Sequence, residues 1–268
     1  MHISEIQSRI QNAKLLDFGI IFNDSVELFK KVWVQGLVTV LLRMVLMIPV
    51  AMVVYIPLFF FGLFDLAPSS YGGYDSYGYY DSYYEPEVSP IFFLIMIPLY
   101  LFFLGAISAI SFGLQAAFYR ISKMKDLNEI GREDYFYFFK QPYLGKTIKL
   151  GLVFIAIAFV AALLCILPIF YVLVPLYYMF VVYAFNPDKS INEIINLSFA
   201  LGNKKWGISF ALLLVCGFLA SIVGFLMCVI GTYVTQSFAY LPFYLIYKDV
   251  VGFESEDDNL QVVEDVNF

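Results

Sequence analysis

Histidine is nearly missing: the 268-residue chain has one, His2. A Ser-His-Asp or Cys-His arrangement inside the fold therefore has no base. A metal oxygenase that holds iron with four histidines is excluded outright. The three cysteines, Cys165, Cys216 and Cys228, lie inside apolar runs and form no C-x-x-C pair, so a zinc or redox motif has no support. They read as small buried apolar residues, with a Cys165–Cys228 bridge as the alternative. Neither a G-x-x-x-x-G-K-[ST] loop nor a G-x-G-x-x-G fingerprint is present. No basic stripe with stacking aromatics suggests nucleic acid, and no cofactor is expected. Charge is scarce as well, at 14% of residues, against about 25% in soluble domains. The acids that do occur avoid the apolar runs, whereas proton- or ion-coupled carriers bury carboxylates there.

What is abundant is apolar surface, at 61% of residues. Such a chain cannot cover a water-soluble globule with polar side chains, so lipid is its solvent. A spanning helix needs ~20 apolar residues, and six stretches qualify: 37–62, 90–118, 147–168, 169–186, 207–229 and 231–247. Runs this long read as helices because a helix satisfies its own backbone within the bilayer. The expected fold is all-α, a polytopic membrane protein with six transmembrane helices in three hairpins.

The first twenty residues lack the apolar core and cleavage site of a signal peptide. Lys and Arg, retained on the cytosolic side, set the orientation. All sixteen fall before the first span or just inside it, between the second and third or at the third's first turn, between the fourth and fifth, or after the sixth. With six spans these segments share one side, which places both termini in the cytosol.

Three polar segments lead into the hairpins. Asp24, Glu133 and Ser190 each open an expected amphipathic helix, and glycine follows twelve residues later at Gly36, Gly145 and Gly202. Asp24-x-x-Glu27 and Ser190-x-x-Glu193 have capping-box spacing. In the last unit Ile191, Ile194, Ile195 and Phe199 form an apolar stripe that Ser198 interrupts. The expected organisation is one membrane domain over residues 1–250 with repeats at about 20–125, 129–187 and 188–249. "KKVWVQG" and "NKKWG" then read as elbows at the membrane surface. Gly36, Gly145 and Gly202 permit the bend. Trp33 and Trp206 sit at the interface, and Lys30, Lys31, Lys204 and Lys205 meet anionic lipid or water. Recognition of a specific headgroup by those lysines is the functional alternative.

Small residues recur every three or four positions within the spans: Gly105, Ala109, Gly113 and Ala117, then Gly217, Ser221, Gly224, Cys228 and Gly231, with Ala158, Ala161, Ala162 and Cys165 in the third. They let helices approach closely. Arg43, Gln115 and Gln236 are the polar residues expected inside the membrane. Arg43 reads as snorkelling to the cytosolic face, since residues 43–61 alone cover about 27 Å. The two glutamines read as interhelical hydrogen-bonding groups.

The outer loop, residues 65–90, is rich in Tyr, Gly and Ser, and residues 251–268 form an acidic tail without a cation. These two segments are where a protein partner would dock; membrane lipids are the other expected partner. Oligomeric state is left open by the sequence.

"LSFALGNKKWGISFALLLV", a glycine-studded hairpin and "LPFYLIYKDVVGF" together resemble a broad group of uncharacterised bacterial polytopic membrane proteins. The pattern, over residues 17–250, is similar to the membrane domain that accompanies some glycerophosphodiester phosphodiesterases. The catalytic domain of those enzymes has no counterpart, so no activity transfers. The resemblance implies a bacterial inner membrane. The leading expectation is a non-enzymatic protein that organises or stabilises partners or lipids. A channel or carrier for an apolar or lipid-like solute is the alternative. A lipid-modifying enzyme would need Glu129, Glu133, Asp134 and Glu193 to converge.

Overall fold

The computed structural model describes residues 1–65, 90–164, 166–227 and 230–253. The tyrosine-rich loop, the acidic tail, Cys165 and Cys228 lie outside the described residues. Everything described is helix, turn or connecting loop. In chain order the helices are α1 (Ile3–Gln11), α2 (Phe18–Asp65), α3 (Pro90–Asp126), α4 (Leu144–Leu163) and α5 (Ile166–Phe185). They continue with α6 (Ile191–Lys204), α7 (Trp206–Leu226), α8 (Ile230–Thr235) and α9 (Leu241–Val250). Among the described residues, α2, α3, α4, α5 and α7 contain stretches long and apolar enough to cross a bilayer.

The sixth expected span, 231–247, is built in three pieces. α8 gives way to a 3₁₀ segment, Gln236–Tyr240, before α9 begins. A change of helix type frees backbone groups that lipid cannot satisfy. The structure supplies partners: the Tyr119 hydroxyl donates to the Tyr240 carbonyl at 3.2 Å. Thr235 Oγ1 donates to the carbonyls of Ala220, at 2.7 Å, and Gly231, at 3.0 Å. Phe238, within the 3₁₀ segment, packs edge-on against Phe22 and Phe29 of α2.

Two of the three expected lead-in helices also differ. α2 starts at Phe18, where Asp17 Oδ1 accepts from the Ile20 amide at 2.9 Å, so Asp24 is not its cap. It then continues unbroken through Gly36 for 48 residues, about 72 Å by the helical rise. No elbow interrupts it there. Residues 133–143 form no amphipathic helix. They hold one 3₁₀ turn, Tyr137–Phe139, and a cis Gln141–Pro142 bond. Only the third unit has the anticipated form. Ser190 and Glu193 make both bonds of a capping box at the start of α6. Its buried face is Ile194, Leu197, Ser198 and Leu201, rotated from the expected stripe so that Ser198 lies inside, its hydroxyl donating to the Ile194 carbonyl. α6 runs back along α5, bringing Gly202 against Pro175.

The packed core sits toward the end that carries the basic residues. Tyr178, Met179, Val181 and Tyr183 of α5, Phe243, Tyr244 and Ile246 of α9, and Leu114, Phe118 and Tyr119 of α3 are all buried. Farther along, Phe59, Phe60, Leu94, Leu101, Phe218 and Phe225 are exposed. Large apolar side chains left outward in this number suit a hydrocarbon surrounding, not water.

Candidate functional site: an intramembrane polar cluster and a locked basic end

Arg43, Gln115 and Gln236 come from α2, α3 and the 3₁₀ segment, and the fold gathers them into one cleft. Arg43 Nη2 donates to Gln115 Oε1 at 3.1 Å. Thr39, Ser237 and Tyr240 add to the lining, with Gly36, Val40 and Phe118. The cleft holds about 10 Å³, room for about one water. Arg43 Nε and Gln115 Nε2 are buried and have no protein partner, so a single bridging water fits both the volume and the unmet donors. Arg43 therefore reaches across to α3.

Gly36 closes it on one side. A Cβ there would lie 2.3 Å from Ser237 Oγ, so glycine is what lets α2 meet the 3₁₀ segment. Gly113 stands against the Phe139 ring, Gly224 against the Thr232 backbone and Gly231 against Met227 and Gly224. A Cβ at Gly202 would lie 2.8 Å from the Pro175 Cα. A Cβ at Gly105, Gly145 or Gly207 would meet nothing within 4 Å, and one at Gly217 only Ala239, at 4.0 Å. Ala109 is buried. Gly151 carries the tightest backbone crossing of α4 on α3, with Ser108 O at 2.7 Å from the position of a Cβ. It is absent from the small-residue repeats because its counterpart is a serine on another helix.

The elbow residues divide. Lys30, Lys31, Trp33 and Lys204 are exposed, Lys30 pairing with Glu27 at 2.6 Å. Lys205 is buried and donates to the Lys14 carbonyl, so it meets the chain where lipid or water was expected. Burial lowers its pKa, and Lys204 beside it lowers it further. Trp206 Nε1 donates to the Tyr171 carbonyl at 3.0 Å, and its ring stacks on Phe210. The break between α6 and α7 falls at Lys205, three residues beyond Gly202.

The basic end is held by contacts remote in sequence. Asp126, at the end of α3, accepts from Lys248 Nζ at 2.6 Å and Tyr244 OH at 2.8 Å. Asn186 Nδ2 donates to Tyr247 OH at 2.7 Å. The final "YKD" thus ties α9 to α3 and to the turn after α5. Arg9 of α1 donates to the Val251 carbonyl at 2.6 Å. Ile6 and Ile10 are buried against the core; their i+3 and i+7 spacing from Ile3 was the available signal for α1.

The carboxylates an interfacial enzyme would need do not converge. Glu129 pairs with Lys123 at 3.0 Å, Asp134 with Lys140 at 2.5 Å, and Glu193 caps α6. Glu133 accepts from Lys125 at 2.7 Å and Gln35 at 2.9 Å. Partial burial works to raise its pKa, but the bonds from Lys125, Gln35 and Tyr135 outweigh this and hold it below the usual carboxylate value. Among the described residues no three His, Cys, Asp or Glu side chains gather as a metal site. The chain matches no protein-family model, no curated protein and no solved structure.

Proposed function

We propose that the chain is a non-enzymatic integral membrane protein that organises lipids or stabilises a partner. It would cross the bacterial inner membrane six times in three hairpins, α8 to α9 forming the last crossing, with both termini in the cytosol. The observation that carries this reading is the closure of the intramembrane polar cluster. Arg43, Gln115 and Gln236 bond to one another or line a cleft of about 10 Å³, which suits a bundle-locking role better than passage of a solute. Four carboxylates engaged in separate local bonds also favour a non-catalytic role. The expected partners are lipids around α2 and α3, and a protein at the tyrosine-rich loop or the acidic tail.

Isolation of the tagged protein in native lipid particles, with mass spectrometry of what stays bound, tests the role. A recurrent protein partner, lost when residues 65–90 or 251–268 are deleted, is expected. Topology has its own test. A membrane-impermeant thiol reagent is expected to label Ser82→Cys from outside the cell and Asn259→Cys only after permeabilisation; the reverse pattern overturns the orientation.

One feature favours the carrier reading instead. An apolar groove of about 160 Å³ lies between α4 and α5, lined by Phe154, Ala158, Ala161, Leu173 and Tyr177. It suits a segment of acyl chain. If the particles contain no partner and one lipid is enriched, transfer of that lipid by reconstituted protein becomes the decisive measurement.

A further inference from the structure

At the basic end, α3, α5, α9 and the chain's first residue surround a polar pocket of about 350 Å³, within the size range of small-molecule sites. Its charged side chains are Arg120, Lys123, Lys189, Glu129 and Asp188. Their depths differ by sign. Arg120, Lys123 and Lys189 are half-buried, whereas Glu129 and Asp188 are exposed at the rim. The floor is therefore cationic, although the formal charges nearly balance.

The cations also differ in what already holds them. Lys123 pairs with Glu129 at 3.0 Å and lies 4.9 Å from the Phe253 ring centroid. Lys189 donates once, to the Met1 carbonyl at 2.8 Å, and an ammonium has three donors. Arg120 lies over Tyr137, its guanidinium carbon 3.8 Å from the ring centroid. None of the ion pairs or side-chain hydrogen bonds among the described residues involves it. An aromatic ring that fixes the guanidinium face leaves its N–H edge directed elsewhere, which is the arrangement that suits two-pronged bonding to an oxyanion. A half-buried guanidinium with no acceptor is costly, and an oxyanion would remove that cost.

We propose that this pocket binds a phosphate group, with Arg120 as the two-pronged donor, Lys189 as the second cation and Lys123 as a long-range contributor. The phosphate could be that of a free small molecule or of a lipid headgroup; the pocket's volume leaves space for the rest of either. The proposal goes beyond the role given above and requires neither the six-span topology nor a protein partner.

Thermal midpoints of the full chain in phosphatidylcholine nanodiscs provide the test, with two probes: added inorganic phosphate, and phosphatidic acid incorporated in the disc. One or both should raise the midpoint of the wild type. Arg120→Gln and Lys189→Gln should each weaken the responsible probe at least about ten-fold, the usual size for a charge-assisted bond. Arg132→Gln, exposed and outside the pocket, should not. Response to inorganic phosphate identifies a free ligand, and response to phosphatidic acid alone identifies a headgroup. If neither probe acts, or if both pocket variants respond like the wild type, the proposal is wrong. Should Arg120→Gln fail to fold through loss of the Tyr137 stack, Lys189→Gln decides.

Discussion

Gly151→Leu is expected to leave little or no folded protein after detergent extraction. A Cβ at Gly151 would lie 2.7 Å from both Cβ and the carbonyl oxygen of Ser108, and 2.8 Å from its carbonyl carbon. Two of those three atoms are backbone of α3, so no rotamer change relieves the clash. Either α3 and α4 separate or one of them bends. Overpacking of this kind costs typically about 1–3 kcal/mol for modest additions, and a leucine at a backbone crossing exceeds that. Separation would also disturb Thr147, one turn earlier on α4, whose hydroxyl sits 2.8 Å from Tyr183 OH in the core. Gly105→Ala and Gly145→Ala provide the comparison, since a Cβ at either meets nothing within 4 Å. Both should fall within about 0.5 kcal/mol of the parent or gain slightly from helix propensity. Size-exclusion profiles after a temperature series read the difference. A Gly151→Leu protein as monodisperse and heat-resistant as the parent would mean that the helices do not cross there.

Asp126→Ala is expected to be the most destabilising removal of a single charge, by about 2–3 kcal/mol. Its side chain is 15% exposed and that of Lys248 is 34% exposed. Deleting one member of a fully buried pair costs about 3–5 kcal/mol because the other is left desolvated; the exposure of Lys248 reduces that figure. Tyr244 loses its acceptor in the same step, which adds to the loss. The Tyr244 hydroxyl is the donor in that bond. The double variant Asp126→Ala, Lys248→Met should be clearly more stable than the sum of the single changes predicts. Additive losses would show that the ion pair seen between α3 and α9 contributes nothing of its own.

Those two positions also mark the boundary of what local sequence pattern reveals. The capping box at Ser190 is legible because its two bonds span three residues, and α6 follows where the pattern places it. The apolar runs are legible because lipid demands them. Asp126 and Lys248 stand 122 positions apart, and no spacing rule relates them. Gly151 faces a serine, so a search for repeated small residues on one helix passes over it. The three-piece form of 231–247 depends on Phe238 finding α2 and on Tyr119 receiving the freed carbonyl, both tertiary events. Arg43, Gln115 and Gln236 are identifiable as polar residues in apolar surroundings. Their meeting is not, because it depends on the crossing of α2 with α3 and with the segment after α8. Pro142 was the local warning that the middle unit would not repeat its neighbours.

The bond from Arg9 to the Val251 carbonyl joins positions 242 apart. At ordinary elongation rates, about 5–20 residues per second, some 10–50 seconds separate the synthesis of its two ends. Throughout that interval α1 has an acceptor that has not yet been made. Its apolar residues Ile6 and Ile10 wait on α6 as well. The contacts that hold α1 can be complete only once nearly the whole chain has been made.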